Sequence, residues 1–164
     1  MSDSAHVAPS GTGESTDVLH APLVIEFPFS RTTGPVIGAF FTGLRNKKVI
    51  GIRAEDGRVI CPPVEYDPIS AASLTELVPV AETGSIVSWT WVEQPDPRQP
   101  LDRPFAWAMV QLDGADTTLL NALDASSADA VSTGARVQIR WRDERVGELA
   151  DIECFELITE AGGN

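Results

Sequence analysis

The stretch that decides the fold is Gly84-Ser85-Ile86-Val87-Ser88-Trp89-Thr90-Trp91-Val92. Its side chains alternate in a two-residue period, which is typical of a β-strand. Val87, Trp89 and Trp91 fall on one face, whereas Ile86 and Val92 fall on the other. Because both faces contain large apolar groups, we expect one face to line a core and the other to meet a second surface.

Further short apolar runs, separated by turn residues, lie on both sides of this stretch. Asp113-Gly114 and Gly134 are turn signals between the later runs, and Glu55-Asp56-Gly57 predicts a hairpin before them. The runs from Ser85 onward make about five strands, and strands at such short intervals predict a small β-barrel. The runs are Val49–Arg53, Arg58–Cys61, Leu74–Val80, Phe105–Leu112, Thr117–Leu123, Arg136–Trp141 and Ile152–Ile158.

A helix is predicted after residue 33. Thr33 or Gly34 can cap it, and Pro35 suits its first turn because the missing N–H would have no partner there. Apolar residues then recur at the spacing of one helical face, and three cations at the end complement the helix dipole. Two roles stay open for this face: core packing, or docking on a partner protein. The face comprises Val36, Ile37, Phe40, Phe41 and Leu44, and the cations are Arg45, Lys47 and Lys48.

These signals divide the chain into four segments. Residues 1–22 contain no Lys or Arg and show no period, which predicts a disordered tail. An extended arm and the helix follow in 23–48, the hairpin segment in 49–80 and the barrel in 81–160. The expected fold is therefore mainly β, with one N-terminal amphipathic helix.

The charge of the chain excludes several classes of partner. The 164 residues include 24 acidic and 12 basic side chains, which gives a net charge of −12. Nucleic acids and anionic membranes are themselves negative, so we expect the chain to bind neither. Residues 31–58 differ, because six cations against two acids give them a net charge of +4. This segment is either a face for an anionic ligand or acidic partner, or a chance cluster on a solvated helix end.

Membrane insertion, secretion and catalysis find little support in the sequence. There is no apolar run of ~20 residues and no secretory signal pattern, and two cysteines fit a reducing cytoplasm. His6 and His20, the only histidines, lie in the predicted tail, so a nucleophile would lack a positioned base. Cys61 precedes two prolines and is expected to be a packed thiol.

The order of the motifs resembles a known family. Phe40-Phe41-Thr42-Gly43-Leu44 precedes Asp56-Gly57-Arg58-Val59 and Pro62-Pro63, and Gly84–Thr90, Pro104-Phe105, Val110–Gly114, Leu119–Asn121 and Thr133–Val137 follow. Over about 36–158 this series resembles the rubredoxin-like zinc-ribbon plus OB-fold proteins that accompany thiolases and lipid-transfer-protein-like aldolases. Each motif is weak alone, and the order carries the resemblance.

The resemblance breaks down at the metal ligands. In that family two C-x-x-C pairs bind zinc, and their positions fall here on Arg53, Asp56, Asp67 and Ser70. Structural zinc needs about four thiolate or imidazole ligands, so we expect no zinc. We also expect no other cofactor. Either an ion pair of Arg53 with Asp56 or Asp67 replaces the metal, or the loop is simply looser.

The resemblance implies a non-catalytic accessory subunit of an acyl-CoA-processing enzyme of lipid or steroid metabolism. The partner would be thiolase-like or lipid-transfer-protein-like, such as a sterol side-chain aldolase, and would hold the catalytic residues in a hetero-oligomer. Phe40, Phe41 and Leu44 are then the expected partner contacts. Arg45, Lys47, Lys48 and Arg58 are the expected contacts with CoA.

Two other functions remain open. A free-standing protein that binds a small molecule such as acyl-CoA would be a stable monomer with its own ligand affinity. An OB-fold that binds single-stranded nucleic acid would use a basic groove with stacking aromatics. The four tryptophans could stack, but the net charge of −12 opposes this alternative.

Overall fold

The computed structural model describes residues 32–158, so the predicted tail and most of the predicted arm lie outside the described residues. One helix and eight strands follow one another: α1 (Gly34–Arg45), β1 (Val49–Arg53), β2 (Val59–Ile60), β3 (Leu77–Val80), β4 (Thr83–Val92), β5 (Phe105–Leu112), β6 (Leu119–Asp124), β7 (Arg136–Trp141) and β8 (Ile152–Leu157). Two 3₁₀ turns, Ala128–Ala130 and Leu149–Asp151, interrupt the later loops. The predicted mainly β fold with one N-terminal helix is confirmed.

Helix α1 begins and ends with recognisable local chemistry. Pro35 stands in its first turn, and Thr33 occupies the N-cap position without a side-chain capping bond. At the other end, the N–H of Lys48 donates to Gly43 O at 2.9 Å and that of Lys47 to Leu44 O at 3.0 Å. This is the Schellman pattern, and it requires a left-handed residue, here Lys47 with φ 56°.

The first three strands form a small antiparallel sheet in the order β2-β1-β3. The predicted hairpin turn at Glu55-Asp56-Gly57 joins β1 to β2, and Gly57 has a φ of 92°. This sheet is fastened to the loop that follows β5. Val59 and Asp116 exchange two hydrogen bonds of 2.8 Å, and Cys61 and Thr117 exchange two of 2.8 and 2.7 Å.

The other five strands close into a barrel with the order β4-β5-β6-β8-β7. Numbered within the barrel, this is the circuit 1-2-3-5-4-1. Strands β6 and β8 pair in parallel, whereas every other pair is antiparallel. That circuit is the OB-fold, a five-stranded Greek-key barrel. The barrel strands lie inside the predicted segment 81–160, and the small sheet lies inside 49–80.

A bulge corrects the alternation expected for β4. The pairing with β5 shifts between Ile86 and Ser88, so Val87 does not share a face with the tryptophans. Ile86 is fully buried in the barrel together with the half-buried Trp89 and Trp91, while Val87 is 45% exposed. The extra residue of a bulge changes which face the following side chains occupy.

One continuous core joins the helix, the small sheet and the barrel. Phe40 and Leu44 of α1 pack in the same buried cluster as Val49 and Val80 of the small sheet and Phe155 of the barrel. A second cluster under the hairpin contains Val36 and Ile52. None of the helices between residues 32 and 158 has the length and apolar composition needed to cross a bilayer.

Candidate functional site

The apolar face predicted for partner docking is largely used by the fold itself. Phe40 is 3% exposed and Leu44 is 0% exposed, both inside the core that the helix shares with the barrel. Phe41 is half-buried against the same core, with its ring 5.7 Å from that of Phe40. Of the two roles left open by the sequence, packing accounts for Phe40 and Leu44. Contact of either with a partner would require this core to open.

A different face of α1 is open. Small and polar side chains of the helix line one wall of an apolar groove of about 630 Å³, and β1 and β3 supply the other wall. Leu77, in the edge strand β3, is 41% exposed there. No lining residue is charged. The lining residues are Gly34, Pro35, Gly38, Ala39, Thr42, Gly43, Asn46, Ile50, Leu77, Val78 and Pro79.

The structure brings three of the four expected CoA-contacting cations together. Arg45, Lys47 and Lys48 are exposed at the C-terminal end of α1. Arg58 lies beyond the opposite end of β1, in the hairpin, and its guanidinium is engaged by two carboxylates. It therefore does not belong to the group at the helix end.

Sequence reasoning missed a fourth cation at the helix end. Arg145, in the loop between β7 and β8, donates from Nε to the carbonyl of Arg45 at 3.1 Å. It also donates to the carbonyls of Arg142 and Asp143, so it ties its own loop to the helix terminus. The two arginines are a hundred positions apart, and no local pattern signals such a contact.

A buried carboxylate holds that loop in shape. Asp151 is 1% exposed and accepts the N–H groups of Val146, Gly147 and Glu148 at 3.0, 2.8 and 3.2 Å. Burial raises the pKa of the Asp151 carboxyl, but the three donated hydrogen bonds outweigh it, so the pKa lies below its ordinary value.

The four positions expected to replace zinc ligands do not all meet. Arg53 pairs with Glu76 at 2.9 Å, so the alternative in which Arg53 pairs with Asp56 or Asp67 is not what the structure shows. Arg58 makes that connection instead. Its Nε donates to Asp56 at 2.6 Å, and its Nη2 donates to Asp67 at 3.3 Å.

Both carboxylates also organise their own turns. Asp56 accepts the N–H of Arg58 at 3.0 Å, and Asp67 accepts the N–H of Ile69 at 2.7 Å. The side-chain bond from Arg58 lowers the pKa of Asp56, and the bond from Ile69 lowers the pKa of Asp67 against the opposing effect of burial. Ser70 accepts the N–H of Ala72 at 3.3 Å.

These residues do not fit a zinc ion. A guanidinium lies between the two carboxylates, and structural zinc takes mostly thiolate and imidazole ligands. Across residues 32–158, no group of three or more His, Cys, Asp or Glu side chains has the arrangement of a metal site.

Neither thiol is poised for nucleophilic chemistry. Burial raises the pKa of Cys61 to about 12 and that of Cys154 to about 11. A thiol must lose its proton to act as a nucleophile, and burial in apolar surroundings opposes this. The expectation that Cys61 is a packed thiol agrees with its 1% exposure.

The tryptophans form no open stacking platform. Trp89 and Trp91 face the barrel core, and the indole N–H groups of Trp91 and Trp141 donate to Glu93 and Glu82 at 2.8 Å each. Trp107 packs edge-on against Phe105 at 5.3 Å. Nucleic-acid binders offer exposed aromatic side chains, on which the bases stack, within a basic groove. These tryptophans are not arranged in that way.

Comparison with known proteins finds a sequence similarity in part of the barrel. Residues 77–142, from β3 to the end of β7, match the sequence family described as the ChsH2 C-terminal OB-fold domain. This region contains four of the five barrel strands, and it is similar to that domain. No curated protein matches the chain in sequence.

Two solved structures are similar to this chain in fold. One is a protein of unknown function from the DUF35 family of Sulfolobus solfataricus, with a TM-score of 0.56 and 21% identity over 76% of this chain and 83% of that one. The other is the Ltp2-ChsH2(DUF35) aldolase, with a TM-score of 0.55 and 21% identity over 77% of this chain and 98% of that one. At this identity the similarity establishes the fold.

Proposed function

We propose that this chain is a non-catalytic accessory subunit of an aldolase complex. Its partner would be a lipid-transfer-protein-like enzyme, which would supply the catalytic residues in a hetero-oligomer. A thiolase-like partner is the nearest variant of the same proposal. The complex would act on an acyl-CoA substrate of lipid or steroid metabolism, and the predicted location is the cytoplasm.

The similarity of residues 77–142 to the ChsH2 C-terminal OB-fold domain is the observation that carries the proposal. The match spans β3 to β7, and the aligned chain of the Ltp2-ChsH2 aldolase is covered over 98% of its length. That aldolase contains an Ltp2 component beside its ChsH2 component. The two buried thiols, with pKa values of about 12 and about 11, add no nucleophile of the chain's own.

We further propose that the hairpin segment is a zinc ribbon that no longer uses metal. The guanidinium of Arg58 connects Asp56 to Asp67 and so links the two turns that zinc ligands would otherwise join. The pair with Asp56 is exposed, and such pairs contribute only about 0–1 kcal/mol to stability, whereas Asp67 is nearly buried. The apolar cluster beneath the ribbon, which includes Val36 and Ile52, supports it as well.

The exposed cations at the helix end are the proposed contacts with CoA. Arg45, Lys47 and Lys48 can approach phosphates because no carboxylate within residues 32–158 pairs with them. Arg58 is no longer a good candidate, because Asp56 and Asp67 already neutralise its charge.

Co-purification with an Ltp2-type aldolase subunit tests the accessory role. We expect a complex on size-exclusion chromatography, and aldol cleavage by the partner that rises when this chain is added. The chain alone should show no cleavage of an acyl-CoA substrate. The chain would instead be a free-standing carrier if it stays monomeric, forms no complex with the Ltp2-type subunit and shows acyl-CoA binding in calorimetry.

A further inference from the structure

The lysines and arginines of residues 32–158 fall into two groups. Six of them form ion pairs with carboxylates: Arg53, Arg58, Arg98, Arg103, Arg136 and Arg140. The other five pair with no carboxylate of this region: Arg45, Lys47, Lys48, Arg142 and Arg145. In a chain with a net charge of −12, such unpaired cations are scarce.

The five unpaired cations are neighbours in space. Arg145 donates to the carbonyls of Arg45 and Arg142, which brings its guanidinium to the backbone of both residues. Lys47 and Lys48 directly follow the helix at the same junction. We call these five residues the basic surface. Its positive charge is offset by Asp143 and Glu144, which are exposed in the same loop.

The basic surface borders the apolar groove. The groove extends along α1 from Gly34 to Asn46, and Asn46 lies between Arg45 and Lys47 in the chain. The end of the uncharged groove at Asn46 therefore lies next to cations. Protein interfaces combine an apolar centre with a polar rim, and arginine is enriched in them.

We propose that the groove and the basic surface form one docking site for a protein partner with an apolar ridge beside acidic side chains. The inference rests on the proposed function in one respect, because the catalytic subunit of the complex is the partner it names. It adds Arg142 and Arg145 to the helix-end cations and places the apolar contact at Leu77 rather than at Phe40.

The charges around Arg142 favour an acidic protein over a phosphate or a nucleic acid. The cavity of about 550 Å³ that includes Arg142 is also lined by Asp143, Glu144, Glu148, Asp151 and Glu153, so a phosphate would be repelled at that arginine. The phosphates of CoA would meet Arg45, Lys47 and Lys48 instead. A nucleic-acid strand carries a continuous row of phosphates and would meet Asp143 and Glu144 as well. A protein surface can place separate acidic side chains against the helix-end cations and keep other side chains opposite Asp143 and Glu144.

Two matched pairs of variants test the two parts of the site. Lys48→Gln/Arg142→Gln removes two charges from the basic surface, and Arg103→Gln/Arg136→Gln removes two charges elsewhere. Leu77→Ser removes an exposed leucine from the groove, and Leu120→Ser removes one that is 54% exposed on the barrel. Binding of the full chain to an Ltp2-type subunit is measured by surface plasmon resonance at several salt concentrations, with melting curves for each variant.

We expect Lys48→Gln/Arg142→Gln to slow association about three- to tenfold and to weaken its salt dependence, since surface charges steer encounter. Leu77→Ser should speed dissociation about tenfold. Each control should change its rate less than twofold. Equal effects of variants and controls would overturn the inference while leaving the accessory role intact.

Failure of the wild-type chain to bind the Ltp2-type subunit would contradict the proposed function, and a second probe then judges the site. A decaglutamate peptide is the probe. If it binds the wild type and does not bind Lys48→Gln/Arg142→Gln, the basic surface recognises acidic side chains. The inference fails if the peptide does not bind, or if single-stranded DNA binds more tightly. It also fails if sedimentation shows that the site is covered by a second copy of this chain.

Discussion

Arg58 donates from Nη2 to both carboxylate oxygens of Asp67, at 3.3 and 3.4 Å, across a separation of nine residues. The bond joins the hairpin turn to the loop that follows Pro62-Pro63. Asp67 is 4% exposed, so this arginine is the cation that faces a nearly buried carboxylate. Removing the cation of this pair should therefore change the stability of the fold.

Arg58→Gln should lower the melting temperature, because it leaves Asp67 without its cation. The pKa of Asp67 should rise at the same time, which carboxyl NMR titration would follow. Arg98→Gln is the matched control, since Arg98 pairs with Asp96 and its side chain is 90% exposed. If both variants melt at the same temperature, the link between Arg58 and Asp67 does not stabilise the fold.

The purified, tag-free chain should contain no stoichiometric zinc, because Arg53, Asp56, Asp67 and Ser70 offer no thiolate or imidazole ligand. Elemental analysis measures this directly, and a chelator should leave the melting temperature unchanged. About one zinc per chain would contradict the prediction and would direct attention to ligands outside residues 32–158.

Phe40→Ala should destabilise the chain by about 3–5 kcal/mol, the usual cost of removing a buried phenylalanine side chain. Urea unfolding measures the free energy. Phe41→Ala should cost less, because Phe41 is only half-buried. If Phe40→Ala instead loses partner binding while its unfolding curve is unchanged, this side chain docks on the partner.

Stability should fall in acid as Asp113 is protonated. Bonds from Arg136 and Thr83 lower the pKa of Asp113 from 3.8 to about 2. A carboxyl with a lowered pKa in the folded state stabilises the fold above its unfolded pKa, and this contribution is lost as the pH falls from about 4 to about 2. The difference in urea midpoint between wild type and Asp113→Asn should shrink over that interval. A constant difference would mean that the carboxylate charge is not involved.

Gly84→Ala should destabilise the barrel by about 1–3 kcal/mol, the range for overpacking a well-packed site. A Cβ at this position would lie 2.8 Å from the Cα of Leu112 and would collide with the carbonyl oxygen of Gln111. Gly84 pairs with β5 and β7 at once, so neither neighbour can withdraw easily. Ser88→Ala, at an exposed position of the same strand, is the control for the unfolding measurement.

Local chemistry made the elements predictable. The helix has Pro35 in its first turn, and turn residues bound β5 and β7, whose observed limits equal the predicted ones. The bulge at Val87 was not predictable, because it depends on register with β5 rather than on composition. The fold class could therefore be predicted from the sequence, whereas the face of β4 on which Val87 lies could not.

The candidate site was less predictable for the same reason. Arg45, Lys47 and Lys48 are adjacent in sequence and were identified, whereas Arg145 reaches the helix only through the folded barrel. The partner of Arg58 was also missed, since the sequence offers several acids at similar distances. Contacts between distant segments are set by topology, and a single sequence carries little information about them.

The bond from Arg145 to the carbonyl of Arg45 has a consequence for biosynthesis. Helix α1 leaves the ribosome a hundred residues before the arginine that contacts its C-terminus. Phe40 and Leu44 cannot be buried until the barrel strands exist, because their core includes Phe155 of the last strand. At about 5–20 residues per second, this apolar face stays uncovered for several seconds of translation. We therefore expect the nascent chain to expose this apolar face to chaperones until its final strand is made.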